Sequence, residues 1–166
     1  VKATFDFIGG AAHPTDGTFA IAPKERRRGV RAADIPWGKP EIPSILFPSD
    51  LCLKKPGSEI IVAAVAHAPD GKAIPSFDAG VRVGRASKTV RVTGPRVWAG
   101  KGESVTSPSP LRSLAVRYDF AFGGIDISEE EGVLEDPRNP VGVGMKHDPG
   151  TLEGKPAPQL EDPSAP

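Results

Sequence analysis

Apolar residues at every second position, in segments separated by glycine and proline, restrict the fold of this chain more than any other feature. Residues 114–122 show the pattern most clearly, and residues 77–84 and 88–93 repeat it. This period of two places apolar side chains on one face of a β-strand. Nineteen prolines and 19 glycines among the 166 residues disfavour long helices. We therefore predict an all-β fold, an antiparallel β-sandwich or open barrel with long Gly/Pro-rich loops.

Further strands are predicted on both sides of these segments. Residues 1–7 and 18–22 alternate in the same way. Residues 60–66 form an unbroken apolar run, which is typical of a central strand covered on both faces. Val97 and Trp98 follow a Gly-Pro pair, and we expect them to extend the sheet.

Turn residues and a change in composition indicate the domain organisation. Pro-Gly and Asp-Gly pairs predict turns at residues 55–57 and 69–71, and a hairpin loop is expected at residues 84–87. After Gly124 the chain becomes acidic and then rich in glycine and proline. We predict a single β domain over residues 1–166, strand-rich to residue 124 and mostly irregular from residue 125 to the C-terminal segment.

Charge and cysteine content argue against several classes of partner. Lysine plus arginine and aspartate plus glutamate both number 21, so no net field attracts nucleic acid or an anionic membrane. No apolar run reaches the roughly 18 residues that a membrane helix needs. Cys52 is the only cysteine, which excludes a disulfide framework and fits a reducing compartment.

The titratable residues show no catalytic or metal-binding spacing. His13, His67 and His147 lie in separate segments, and His67 is expected to cap a strand by hydrogen bonding to a turn. Two of the carboxylates of Asp6, Asp119 and Asp126 could act as an acid–base pair. Asp6 and Asp119 lie on the polar faces of predicted strands, so a cross-strand pair with Lys2 or Arg117 is the simpler interpretation. We predict a protein that is not an enzyme and binds neither a cofactor nor a metal.

Charge runs and tryptophans are candidate contact sites. Arg26-Arg27-Arg28 and Glu129-Glu130-Glu131 are expected to be solvated loops, although the two runs could also contact each other or an outside partner. Trp37, in a Pro-rich loop, is the better interface candidate. Trp98 is expected to pack in the core or at a sheet edge.

Glycines follow the clearest strand and return after an Arg-Asn-Pro turn. Phe122 is followed by Gly123 and Gly124, and we expect these glycines to permit a positive φ or a close backbone contact. In residues 138–142, Arg138 is expected to hold carbonyls or a carboxylate such as that of Asp136. Neither segment has the pattern of a phosphate-binding loop. A strand end with its own locked loop is favoured over ligand binding.

The order of motifs along the chain resembles a bacterial protein family. VKATFDF is followed by SDLCLKKPGSEIIVAAVAHAPDGK, VRVGRASKTVRVTGPRVW, SPSPLRSLAVRYDFAFGG, DPRNPVGVG and APQLEDP. The family has long been labelled a domain of unknown function, and its members are encoded beside type VI secretion genes and are sometimes fused to pentapeptide repeats. The resemblance covers residues 1–10 and 49–163, and its most specific parts are the AFGG and RNPVG elements.

The resemblance implies a non-enzymatic adaptor or chaperone in the bacterial cytoplasm. Such a protein helps to load a toxin effector onto the type VI secretion spike, through VgrG and its PAAR tip, and binds neither nucleic acid nor membrane. It brings no catalytic residue with it. The residues that we expect to bind a partner or organise loops are Trp37, His67, Arg96, Trp98, Phe122, Gly123, Gly124, Arg138, Asn139 and Gly142.

Two other functions remain open at this point. The tryptophans and scattered carboxylates motivate a carbohydrate-binding or carbohydrate-active β-sandwich. A purely structural part of a larger assembly is the third hypothesis.

Overall fold

Short β-strands provide most of the regular structure in a computed structural model that describes residues 31–38, 44–49, 51 and 60–164. Short 3-10 turns at Pro69–Gly71, Tyr118–Phe120 and Pro149–Leu152 are the other regular elements of those residues. The predicted all-β class is confirmed. In chain order, the strands are β1 (Ile35–Pro36), β2 (Ile45–Phe47), β3 (Val65–His67), β4 (Ser76–Val83), β5 (Ala86–Thr93), β6 (Trp98–Ala99), β7 (Ser104–Val105), β8 (Ser113–Ala115), β9 (Phe122–Gly123), β10 (Ile125–Ser128), β11 (Gly132–Glu135), β12 (Val143–Gly144) and β13 (Leu160–Glu161).

The strands form several small sheets. One sheet has three strands in the order β13-β5-β4, and the described residues form five further sheets of two strands each. Pairing is antiparallel except between β9 and β12, which run parallel. The predicted antiparallel architecture is confirmed, and the sheets do not close into a barrel within the described ranges.

The β4–β5 hairpin is the longest paired element. Its register runs from Ser76 opposite Thr93 to Val83 opposite Ala86. Gly84 opens the two-residue turn with a φ of 60°, while Arg85 has no positive φ. A positive φ at the first turn position alone is the type II′ pattern, which matches the twist of a hairpin. Both strands and the turn lie where the sequence predicts them.

The apolar core lies at the base of this hairpin. Phe77 and Val92 oppose each other across β4 and β5, and Ala66, Ala68 and Leu160 complete the buried cluster. Burying a large apolar side chain stabilises a fold by roughly 1.5–3 kcal/mol. Toward the turn, the same face of the hairpin becomes exposed, so the core supports only the lower half of the hairpin.

The predicted central strand at residues 60–66 is wrong. Within this run, only residues 65 and 66 belong to a strand, β3, and Ile60 exposes 53% of its surface. Ala66 alone in the run is buried. Among the strands that the structure describes, β3 has one partner, β8, which ends at Ala115. A continuous apolar run therefore marks a segment that lies at the protein surface.

The predicted strand at residues 114–122 is interrupted in its middle. The guanidinium of Arg117 donates two hydrogen bonds to the carboxylate of Asp119, at 2.9 and 2.6 Å. The backbone N–H of Phe120 donates to the carbonyl oxygen of Arg117 at 3.2 Å, which closes a 3-10 turn. The salt bridge predicted between Arg117 and Asp119 is present, but it holds a turn and not a pair of strands.

Residues 125–164 contain more regular structure than the sequence indicates. β10 and β11 form a hairpin, β12 pairs with β9, and β13 joins the largest sheet beside β5. The strand at Trp98 also departs from expectation, because β6 pairs with β7 and does not extend the β4–β5 sheet. These strands have two to four residues each, too few for alternation to become recognisable.

Several predictions lie outside the described residues. They concern the strands at residues 1–7 and 18–22, the turn at residues 55–57, the arginines at 26–28, and His13 and Cys52. Within the described part of the chain, no helix has the length and apolar character that crossing a membrane requires.

Candidate functional site

Gly123 and Gly124 connect β9 to β10 in a conformation that favours glycine. Both residues are buried, with φ values of 144° and 120°. A Cβ on Gly123 would lie 2.2 Å from the carbonyl oxygen of Asn139, and one on Gly124 would lie 2.8 Å from that of Gly142. Such contacts are shorter than any side chain tolerates, so the two glycines permit the close backbone contact expected from the sequence.

Asn139 joins the two glycine segments. Its Nδ2 donates to the carbonyl oxygens of Tyr118, at 2.9 Å, and Phe122, at 2.8 Å. Its own carbonyl oxygen accepts from the backbone N–H groups of Gly124, at 2.9 Å, and Gly142, at 3.1 Å. The Asn139 residue is buried. These four hydrogen bonds are shielded from solvent, and they hold the loop after β9 and the loop before β12 in one arrangement.

Gly142 closes this arrangement from the other side. A Cβ there would lie 2.4 Å from Nδ2 of Asn139 and 2.8 Å from the carbonyl oxygen of Ala121. The next residue, Val143, donates its backbone N–H to the same Ala121 oxygen at 3.0 Å, which begins the parallel β9–β12 pairing. We call Gly123, Gly124, Asn139 and Gly142 the loop lock.

Arg138 does not hold the lock with its side chain. The guanidinium group is 3.5 Å from the carboxylate of Asp136, and the side chain is 90% exposed. The buried Asp136 instead accepts the backbone N–H of Arg138 at 2.9 Å and donates its own N–H to the carbonyl oxygen of Gly124 at 3.1 Å. The predicted contact of Arg138 with the Asp136 carboxylate is therefore present at the surface, whereas Asn139 makes the buried hydrogen bonds between the loops.

Arg96 organises the C-terminal segment. Its Nε and one terminal nitrogen donate to the carbonyl oxygen of Pro158, at 3.1 and 2.9 Å, and the guanidinium also pairs with Glu161. Its own carbonyl oxygen accepts from the backbone N–H of Ala157 at 3.0 Å. These contacts hold β13 beside β5.

The aromatic candidates have intramolecular neighbours. The guanidinium of Arg117 lies 5.3 Å from the ring centre of Trp37, within cation–π range. A Cβ on Gly144 would lie 3.1 Å from the ring of Phe122 and 3.2 Å from the ring of Trp98. Phe122 and Trp98 therefore meet at one glycine of β12, and the half-buried Trp98 matches the predicted sheet-edge packing.

His67 does not cap its strand. It is exposed, and its side chain has no hydrogen-bond partner among the described residues. No cluster of three histidine, cysteine, aspartate or glutamate side chains occurs in that part of the chain. His67 is therefore a surface residue beside the buried Ala66.

An open apolar groove of about 620 Å³ lies between the chain before β3 and the outer half of the β4–β5 hairpin. One side is formed by Ile60, Val62 and Ala64, and the other by Val81 and Val83. The sequence analysis places these residues in buried strands, by the unbroken apolar run at residues 60–66 and by alternation at residues 77–84, and therefore does not reveal that they line a groove.

The groove is bordered by an edge of β4, and the charged residues on its rim largely balance one another. β4 pairs with β5 on one side and has no strand on its other side in the described part of the protein. Lys88 on the rim pairs with Asp162, and this contact, with hydrogen bonds from Ser164, holds the pKa of the Asp162 carboxyl well below its ordinary value. The groove can therefore accept an uncharged, extended chain.

Comparison with curated proteins and with solved structures finds no significant match for this chain. A family model does match, and it covers residues 1–166. The motif series and the match agree that the relatives are bacterial. The chain belongs to the family described as "Uncharacterized protein conserved in bacteria (DUF2169)".

Proposed function

We propose that the protein is a non-enzymatic adaptor, located in the bacterial cytoplasm, that loads a toxin effector onto the type VI secretion spike. The observation that carries the proposal is the apolar groove beside the edge of β4 that pairs with no strand of the described ranges. The motif series from residues 1–7 to 157–163 supports the choice of secretion system.

Strand addition is the binding mode that this groove favours. An extended segment next to β4 gains main-chain hydrogen bonds from the unpaired edge. Every second side chain of that segment then faces Val81 and Val83, which lie on the groove side of the hairpin. We therefore propose an extended apolar segment of the effector as the occupant.

A rigid scaffold suits this role. Hydrogen bonds of Asn139 fix the end of β9 and the turn that precedes β12. Arg96 fixes β13 against β5, and β5 in turn supports β4. A preformed groove costs less conformational entropy on binding than a loop that must first become ordered.

The carboxylates favour binding over catalysis. Asp119 and Asp126 are each engaged in an ion pair, with Arg117 and Lys146 respectively. The Lys146 ammonium, followed by the backbone N–H of His147, lowers the pKa of Asp126. A general acid needs a raised pKa, so this carboxylate is unsuited to the carbohydrate-cleaving alternative.

Co-purification with the spike proteins tests the proposal. We expect the full chain to retain its host's effector, with or without PAAR and VgrG, and Val81→Lys to lose the effector because a charge enters the groove. The matched control is Val105→Lys, since Val81 and Val105 both expose 38% of their surface and only Val81 lines the groove.

Two outcomes contradict the proposal in different ways. If the wild-type chain binds no effector, PAAR or VgrG protein, the adaptor function is wrong. If both lysine variants retain the effector equally well, the function stands and the groove is not the binding site.

A further inference from the structure

A second apolar surface lies on the β10–β11 hairpin, whose two faces differ sharply. The register places Ile127 opposite Val133 and Ile125 opposite Glu135. Opposed residues in an antiparallel pair point to the same side. Ile127 is 77% exposed and Val133 is 65% exposed, so this outward face is uncovered in the described structure.

The opposite face of the hairpin is attached to the rest of the chain. The carboxylate of Asp126 pairs with Lys146 and accepts the backbone N–H of His147 at 3.0 Å. The His147 ring contacts the carbonyl oxygen of Gly132 at 3.3 Å and the carboxylate of Glu131 at 3.2 Å. The hairpin is therefore held from one side, and its apolar side chains are directed away from that attachment.

The tip of the hairpin is acidic and ordered. Residues 125–135 include five acidic and no basic residues. The hydroxyl oxygen of Ser128 accepts the backbone N–H groups of Glu130 and Glu131, both at 3.2 Å. Gly132, the first residue of β11 and the partner of Ser128, follows this three-residue loop with a φ of 83°, a conformation that favours glycine. The carboxylates of Glu129 and Glu130 are consequently presented at a defined position beside the apolar face.

We propose that this outward face, Ile125, Ile127 and Val133 with the acidic tip and Glu135, docks a partner protein segment whose apolar residues are flanked by lysine or arginine. Covering these exposed isoleucine and valine side chains with apolar residues of a partner removes apolar area from water, which favours association. The carboxylates around it favour a basic rim on the partner and repel an acidic one. The surface differs from the β4 groove, and the inference does not depend on the effector-loading proposal.

Two synthetic peptides test the charge requirement. Both contain the same alternating valine and threonine centre, and one is flanked by lysines while the other is flanked by glutamates. We expect fluorescence anisotropy to show that the full chain binds the lysine-flanked peptide at least about tenfold more tightly, a difference of about 1.4 kcal/mol. Binding should weaken as salt is added, because the charges involved are exposed.

Matched variants locate the site. Ile127→Ser should weaken binding of the lysine-flanked peptide about tenfold or more. The double substitution Glu129→Gln and Glu130→Gln should weaken it and reduce its salt dependence, whereas Glu103→Gln, which removes an exposed carboxylate elsewhere, should leave both unchanged. Val133→Ser provides a second test of the apolar face if circular dichroism shows that Ile127→Ser does not fold.

Three results would overturn the inference. The first is equal affinity for the two peptides, and the second is unchanged affinity in both serine variants. The third is a dimer of the wild-type chain in sedimentation that Ile127→Ser converts to monomer. That result would assign this face to a second copy of the chain.

Discussion

The loop lock and the outer half of the β4–β5 hairpin use their residues in opposite ways. The lock buries an asparagine and two adjacent glycines, and joins them by hydrogen bonds of the asparagine Nδ2 and of the backbone, while the asparagine Oδ1 has no partner among the described residues. The hairpin leaves valines exposed over a groove. The comparison teaches that glycine-rich backbone contacts hold one region of this fold together, while apolar side chains of the other region stay exposed in the described part of the chain.

This difference separates scaffold from surface. Removing a buried donor such as the Asn139 Nδ2 is costly, because each carbonyl oxygen that it served loses its partner without regaining water. An exposed valine contributes little to folding and is replaceable. Substitutions in the two regions should therefore affect different measurements.

Gly123→Ala should produce the largest loss of stability. The new Cβ would meet the Asn139 carbonyl oxygen, and alanine strongly disfavours a φ of 144°. We expect a decrease of about 3 kcal/mol in the free energy of unfolding, measured by urea denaturation. Gly80→Ala is the control, because a Cβ there makes only ordinary contacts, at 3.4 Å and beyond. Equal urea midpoints for the two variants would show that the lock does not constrain the backbone.

Asn139→Ala should have the next largest effect. It removes the donor to two carbonyl oxygens, those of Tyr118 and Phe122. We expect a loss of about 2 kcal/mol, again from urea denaturation. Arg138→Ala should change stability by less than about 0.5 kcal/mol, since its side chain is solvated. If Arg138→Ala lost more unfolding free energy than Asn139→Ala, Asn139 would not be the residue that holds the lock.

Asp126→Asn should have a smaller effect that depends on pH. The ion pair with Lys146, and then the N–H of His147, lower the pKa of Asp126. A lowered pKa stabilises the folded protein at a pH above the ordinary value of about 4, and this contribution is lost as the pH falls through the folded value. The wild-type chain should be more stable than the variant at pH 7, and the difference should shrink at pH 3. A constant difference between these pH values would contradict the role of the charge.

Val83→Thr should have the smallest effect on stability. Val83 is 41% exposed near the hairpin turn, so we expect a change below about 0.5 kcal/mol. The buried Val92 lies on the same face, and Val92→Thr should cost about 1–3 kcal/mol because a hydroxyl group loses water there. Thermal unfolding of the pair compares the two halves of one hairpin. Similar losses would mean that the outer half is not a free surface.

The sequence predicts this fold best where the structure is local. The β4–β5 hairpin follows from alternation and from Gly84, since both strands and the turn are adjacent in the chain. The prediction for residues 60–66 is wrong because an apolar run does not specify whether its side chains enter a core or line an exposed groove. The strand breaks at Tyr118 because a salt bridge joins Arg117 to Asp119, two residues further on. This turn leaves the alternating sequence pattern intact, so the pattern does not reveal it.

The candidate site was also predictable only where it depends on local sequence. Paired glycines indicate an unusual backbone, and the structure places a close contact at both. Which residue fills the space between the loops depends on a contact between Asn139 and Phe122, far apart in the chain, and no local pattern distinguishes it from Arg138. The groove escaped prediction because it is a property of two segments together.

The pairing of β13 with β5 also sets an order of events during synthesis. The side-chain amide of Gln159 donates to the carbonyl oxygen of Thr93, a contact that spans 66 residues. The hairpin of β4 and β5 forms early and locally, but its sheet cannot be completed until the ribosome has released residue 161. Contacts of such long sequence separation slow folding and leave intermediates with uncovered strand edges. Among the described strands, the main sheet therefore has both edges of its hairpin open before β13 emerges, and β13 then covers the β5 edge.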